Sequence, residues 1–136
     1  MASDLMTASQ DAIFAALDAG VPAELGTVVQ HVPEDWQPPL IVIGSIEANS
    51  EEESDDEDPL ERHTIEILYT YRGEARRGLY AIMHAGRHAI VGATLAAAGA
   101  VFGKARWKSS ADDLLEDGVT YTGIQFFEIL VQPDDD

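Results

Sequence analysis

Val119-Thr-Tyr-Thr-Gly-Ile-Gln-Phe-Phe-Glu-Ile-Leu-Val-Gln132 decides the fold. It reads as one long strand. Tyr121, Phe127, Ile129 and Val131 alternate onto one face, and Ile124, Phe126 and Leu130 onto the other. A strand apolar on both sides needs cover on both sides. Just before it, Asp117-Gly118 is a turn signal ending a polar connection over 112–118. Before that connection, residues 101–109 alternate and set Lys104, Arg106 and Lys108 on one face of a further strand.

Further upstream, residues 74–92 carry a helical period. Leu79, Ile82, Met83, Gly86, Ala89, Ile90 and Ala93 form its apolar stripe, and the small Gly86 and Ala89 permit close approach to a sheet. The alanine-rich stretch 93–100 either extends this helix or loosens into a loop punctuated by Gly99. Residues 64–71 alternate, with Ile65, Ile67, Tyr69 and Tyr71 facing one way and Thr64, Glu66 and Thr70 the other. Leu40-Ile41-Val42-Ile43 predicts an internal strand, approached in extended conformation through Trp36 and Pro38-Pro39. A short β segment is expected at 27–31, closed by Val32-Pro33. The chain opens with a helix over 4–19. Its stripe is Met6, Ile13 and Leu17 with Leu5, Ala12 and Ala16, and Gly20 and Pro22 end it. Thr7 and Gln10 have capping-box spacing and offer an alternative start.

These parts predict one α+β domain over 1–136: a small, mostly antiparallel sheet of four to five strands with two helices packed on one face. Two helices cover one side of such a sheet. The other side then calls for a partner subunit.

Composition narrows the function. The 136 residues suit a single core, and 46% hydrophobic content is ordinary for a globular chain. No apolar run approaches the length that spans a bilayer, and residues 1–10 lack the basic start and apolar core of a signal peptide, so a cytoplasmic chain with no membrane partner is expected. The absence of cysteine removes disulfides, thiol nucleophiles and thiolate metal sites. Twenty-five acidic against eight basic side chains give −17, which opposes binding to phosphate backbones. Nine of the acids fall between Glu47 and Glu61, and three more at 134–136. Residues 48–59, including Glu51, Glu52, Glu53, Asp55, Asp56, Glu57 and Asp58, read as a solvated acidic loop, and 133–136 as an acidic tail.

The motifs of catalysis are missing. His84 and His88 have the i,i+4 spacing of a metal pair, but Ala85 stands where a metalloprotease needs Glu and no third ligand is suggested. Gly99-Ala-Val-Phe-Gly103-Lys104-Ala105 is one residue short of a phosphate loop, has Ala105 in place of Ser or Thr, and precedes a strand. Glu51 to Asp58 contains no Gly, and the stretch from Asp113 has Ile124 at the twelfth position, so neither fits an EF-hand. There is no Gly-x-Ser-x-Gly. No enzyme, metal or cofactor is expected. The cationic candidates Arg76, Arg77, His84, Arg87, His88, Lys104, Arg106 and Lys108 are read as contacts to an acidic protein partner or a sister subunit.

Four landmarks follow a known order: Ala12-Ile-Phe-Ala-Ala-Leu17; Val32-Pro33 followed by Pro39-Leu-Ile-Val-Ile-Gly44; His63-Thr-Ile-Glu-Ile67 leading into the second helix; and Asp117-Gly-Val-Thr-Tyr-Thr-Gly123 running into the last strand. Over nearly its whole length the chain resembles the tail completion proteins of long-tailed phages, also called tail terminators or head–tail joining proteins, which also occur in gene transfer agents. Pro39-Leu40 stands where that family often has Pro-Tyr, Tyr69-Thr70 where it often has Trp-Ser, and the acidic loop is longer than usual. The resemblance implies a structural virion protein at the head–tail interface, assembled in the host cytoplasm. It implies a ring, usually of six subunits, seated on the tail-tube protein. The ring stops tube growth and docks the head-completion or stopper protein, and genome DNA passes through its channel without specific binding. Six copies at −17 each would carry −102, so screening salt should favour closure. The acidic loop is expected at the ring's surface or lumen. The rival readings are an acidic DNA mimic that inhibits a nucleic-acid-binding enzyme, a different neck or minor tail protein, and a hydrolase with a metal on His84 and His88.

Overall fold

A single cluster of buried side chains organises the chain: Ile41, Ile65, Ile67, Tyr69, Tyr121, Phe127, Ile129 and Val131 from the strands meet Leu5, Ala8, Ala12, Ile13 and Leu17 from the first helix and Leu79, Ile82, Met83 and Ile90 from the second. The structure, a computed structural model, describes residues 4–51 and 60–134. In chain order the elements are α1 (Leu5–Gly20), β1 (Thr27–Val29), β2 (Leu40–Ser50), β3 (Glu61–Arg72), α2 (Arg77–Val91), β4 (Ala100–Phe102), β5 (Arg106–Leu114) and β6 (Thr120–Pro133). The fold is α+β, as expected. The sheet has six strands rather than four or five, in the order β1-β2-β3-β6, with β4 and β5 sharing the far edge of β6. It is also mixed, because β1 runs parallel to β2 while every other pair is antiparallel.

β6 behaves as its alternation predicts. Tyr121, Gly123, Gln125, Phe127, Ile129 and Val131 are buried, while Ile124 and Phe126 are half-buried and Leu130 is exposed. β3 repeats the pattern with Ile65, Ile67 and Tyr69 inward. The second helix presents the expected stripe, and Gly86 lies against the Tyr69 hydroxyl so closely that a Cβ there would collide with it.

Several local expectations are corrected. Asp4 is the N-cap of α1 and its carboxylate accepts from Thr7 N at 3.1 Å and Thr7 Oγ1 at 2.6 Å, so Thr7 is the capped residue and not the cap. Its buried stripe is Leu5, Ala8, Ser9, Ala12, Ile13 and Leu17. Met6, one residue round from Leu5, is 43% exposed. Residues 93–99 do not extend α2, which ends at Val91. The acidic loop does not begin at 48, because Ala48, Asn49 and Ser50 pair with His63, Arg62 and Glu61 and lengthen β2. Residues 52–59, with Glu52, Glu53, Asp55, Asp56, Glu57 and Asp58, lie outside the described residues, as do Asp135 and Asp136. In the C-terminal tail, Pro133 closes β6. The stretch expected as one strand over 101–109 is two strands, and the basic stripe is broken. Lys104 lies between β4 and β5, and a register shift between Trp107 and Ser109 makes Lys108 an extra residue opposite β6. The Asp-Gly signal is a turn, though later than the whole connection expected. β5 runs on to Leu114, Gly118 takes φ 75°, and Asp117 caps the turn by accepting from Val119 N, Thr120 N and Thr120 Oγ1.

Candidate functional site

The face of the sheet turned away from the core cluster carries a continuous apolar row. Val29, Val42, Leu68, Ile124 and Ala111 stand opposite one another on five successive strands. Phe126 lies in the next row beside Glu66, and Leu130 further along beside Arg62. None of these side chains belongs to the core cluster or packs against it. Val42, Leu68, Ile124 and Phe126 are half-buried, and Leu130 is 38% exposed. The period-2 geometry of β2, β3 and β6 puts this band on the side opposite the buried faces of the helices. Sequence reasoning found Ile124, Phe126 and Leu130. Their junction with Val29, Val42 and Leu68 needed the strand register.

The cationic candidates do not form one patch. Arg76 is committed inside the protomer. Its Nε lies 2.7 Å from Asp112 Oδ2, and its guanidinium lies 5.5 Å from the Tyr121 ring. The Asp112 contact is ionic in character, because Oδ2 is closed from water and receives no aligned hydrogen bond. Tyr80 Oη donates to the other carboxylate oxygen at 3.1 Å, which raises the Tyr80 phenol above its ordinary value. Arg87 stacks over Trp107 at 3.9 Å and ties α2 to β5. His84 and His88 are exposed neighbours with ring centroids 4.3 Å apart, and among the described residues no third His, Cys, Asp or Glu joins them. Arg77 is exposed at the first turn of α2. Lys104, Arg106 and Lys108 are exposed at the outer edge of the sheet. Glu51, the described member of the acidic loop candidates, clamps Arg62 with both oxygens at 2.9 and 2.7 Å, and this holds the Arg62 guanidinium above its ordinary value.

The family model of Tail completion protein gp17 matches residues 11–132. The chain belongs to this tail completion protein family. It is thereby a structural protein of a phage-type tail, a component of a virion. No curated protein matches it in sequence. In fold, the tail completion protein is similar to a chain from the virion of a native gene transfer agent particle, with a TM-score of 0.82 at 20% identity over 96% of this chain and 99% of that one.

Two buried polar chains in this tail completion protein escaped sequence reasoning. In the first, Ser9 on α1, His63 on β3 and Glu61 line up, with Ser9 Oγ 2.6 Å from His63 Nδ1 and His63 Nε2 2.8 Å from Glu61 Oε1. With Glu61 ionised, Nε2 carries the proton and Nδ1 accepts from the serine. The order resembles a nucleophile relay, but Ser9 and His63 are fully enclosed, so no substrate reaches them and the chain fastens α1 to the sheet. In the second, Tyr69 Oη donates to Gln125 Oε1 at 2.6 Å, while Gln125 Nε2 donates to the Met83 carbonyl at 3.2 Å and to Ser110 Oγ at 3.1 Å. Ser110 also accepts from Trp107 Nε1 at 2.8 Å. Burial pushes the Tyr69 phenol above its ordinary value. Residues 54 or 56 positions apart carry no sequence signal for such pairing. Gln125 alone could have been flagged, as a polar residue on an inward strand position.

Proposed function

We propose that this chain is a tail terminator subunit that assembles with copies of itself into a ring of six. The ring caps the tail-tube protein, stops tube growth and presents a docking surface to the head-completion protein. Genome DNA passes through its channel without specific binding, and the chain performs no catalysis. The observation that carries this reading is the apolar row through Val42, Leu68 and Ile124, with Phe126 and Leu130 beside it, in a member of a tail completion family. A band crossing five strands and standing apart from the core cluster suits burial in an assembly. The similar chain from the gene transfer agent virion supports the same direction. A net charge of −17 per subunit keeps the free subunit apart at low salt and lines a channel from which DNA is repelled.

Negative-stain imaging of the purified protein mixed with tail tubes tests this reading, with light scattering across a salt series beside it. A density capping tube ends is expected, as is association of the free protein that strengthens with salt. Leu130→Lys should leave the fold intact, since the side chain is partly exposed, yet reduce capping. A tight dimer at every salt concentration, or uncapped tubes, would overturn the proposal.

A further inference from the structure

Among the described residues the sheet ends in two unpaired strand edges of similar length. On one side, β1 covers only Leu40, Ile41 and Val42, so among the described residues 43–50 of β2 pair with β3 alone. On the other side, among the described residues, β5 pairs with β6 alone over Arg106–Leu114. Apart from half-buried Asp112, every residue of β5 is exposed. Open edges of this kind are templates for a further strand, and natural proteins rarely leave them without a use or a guard.

The two edges are complementary in chemistry. Lys104, Arg106 and Lys108 gather at the start of β5, and Leu114 and Leu115, 40% and 43% exposed, stand at its end. The free part of β2 runs the other way in character. It begins at Ile43 and Ile46, which line a groove of about 490 Å³ with Met6, Thr7 and Gln10 of α1, and beyond them it carries the exposed Glu47. Antiparallel pairing sets the basic start of β5 on the Glu47 half of the β2 edge and brings Leu114 and Leu115 to the groove beside Met6. Parallel pairing would carry Leu114 and Leu115 away from the groove beside Met6.

Strand direction gives the same answer independently. From β2 through β3 and β6 to β5 each neighbour is antiparallel, so β5 runs opposite to β2. A rotation about an axis that runs along the strands carries one sheet into the next and preserves strand direction. It therefore places β5 antiparallel to the β2 of its neighbour. The two edges are different surfaces, so the contact is head-to-tail and can close into a ring.

We propose that successive subunits join by antiparallel pairing of the β5 edge of one with the 43–50 edge of β2 in the next copy of this chain. The inference rests on the ring reading above. The bulge at Trp107/Ser109 and the adjacent lysine guard the start of β5, so that an anionic edge is admitted and promiscuous pairing is not.

The chain has no cysteine, which makes cross-linking direct. Glu47 and Ser109 are both exposed and lie on the sheet face opposite the core. A Glu47→Cys/Ser109→Cys variant, assembled on tail tubes and treated with a short bis-maleimide, should give a ladder of covalent oligomers rising beyond the dimer. Each single variant should give none. Lys108→Glu should reduce capped tubes roughly tenfold, and Glu47→Lys added to it should restore them, with circular dichroism confirming folded protein throughout. Capped tubes without a ladder overturn the strand-edge contact and leave the terminator reading standing. So does a covalent dimer from Ser109→Cys alone, which would mean that β5 pairs with β5. If the wild-type protein caps no tubes, the reading beneath falls and takes this contact with it.

Discussion

Replacing Gln125 with Leu is a direct test of how the helix layer is tied to the sheet edge. Gln125 is 3% exposed, and its amide serves three partners: the Tyr69 hydroxyl, the Met83 carbonyl and Ser110 Oγ. Leu matches the shape but accepts nothing. The Met83 carbonyl lies within α2 and Ser110 keeps the Trp107 indole as a donor, so the main casualty is the Tyr69 hydroxyl, which is buried with no water to turn to. An orphaned buried hydroxyl costs about 1–3 kcal/mol. For a chain of this size a loss of about 2 kcal/mol lowers Tm by roughly 6–10 °C. Tyr69→Phe alone strands the Gln125 acceptor and should cost about 1–2 kcal/mol. The double variant removes both polar partners together, so it should be more stable than the sum of the single losses predicts, by about 1–2 kcal/mol. Urea denaturation of the four proteins, with m-values compared, measures that coupling. Strict additivity, or a Gln125→Leu protein as stable as the wild type, would refute the account of the network.

Helix spacing offers a second test. A Cβ at Gly20 would sit 2.6 Å from Ala89 Cβ and 3.0 Å from its Cα, so Gly20→Ala should cost about 1–3 kcal/mol, and Ala89→Gly should recover most of it by thermal denaturation. A third concerns acid. Hydrogen bonds from the Thr120 hydroxyl first, then from the Val119 and Thr120 amides, hold the Asp117 carboxyl below its ordinary value of 3.8. A depressed carboxyl contributes stability that is present above the unfolded value and is lost as pH falls through the folded one. Asp117→Asn should therefore flatten the acid limb of the stability profile below about pH 4. An unchanged limb in a pH series of melting curves would contradict the turn's role.

The long strand at the C-terminal end, the alternation of 64–71 and the stripe of the second helix were legible because period 2 and period 3.6 are written locally in residue order. So were the α+β class and the lack of catalytic motifs. What was not legible depended on partners distant in the chain. Asp4 and Thr7 compete for the same cap, and only the hydrogen bonds decide between them. Lys104, Arg106 and Lys108 alternate on paper, but the break in pairing after Phe102 and the bulge beside Ser109 end that alternation, because β6 dictates where pairing resumes. Ser9 with His63, and Tyr69 with Gln125, are neighbours solely through the packing of a helix on a sheet and of β3 on β6.

Residue order thus settles the size and class of the fold, its charge, and the fact that the last strand is greasy on both sides, since all of these follow from composition and short-range period. Tertiary structure settles which greasy residues share an open face, which cations are already spent inside the protomer, and which strand edges remain for a neighbour. Those depend on register, and register is a relation between strands that no single stretch of sequence contains.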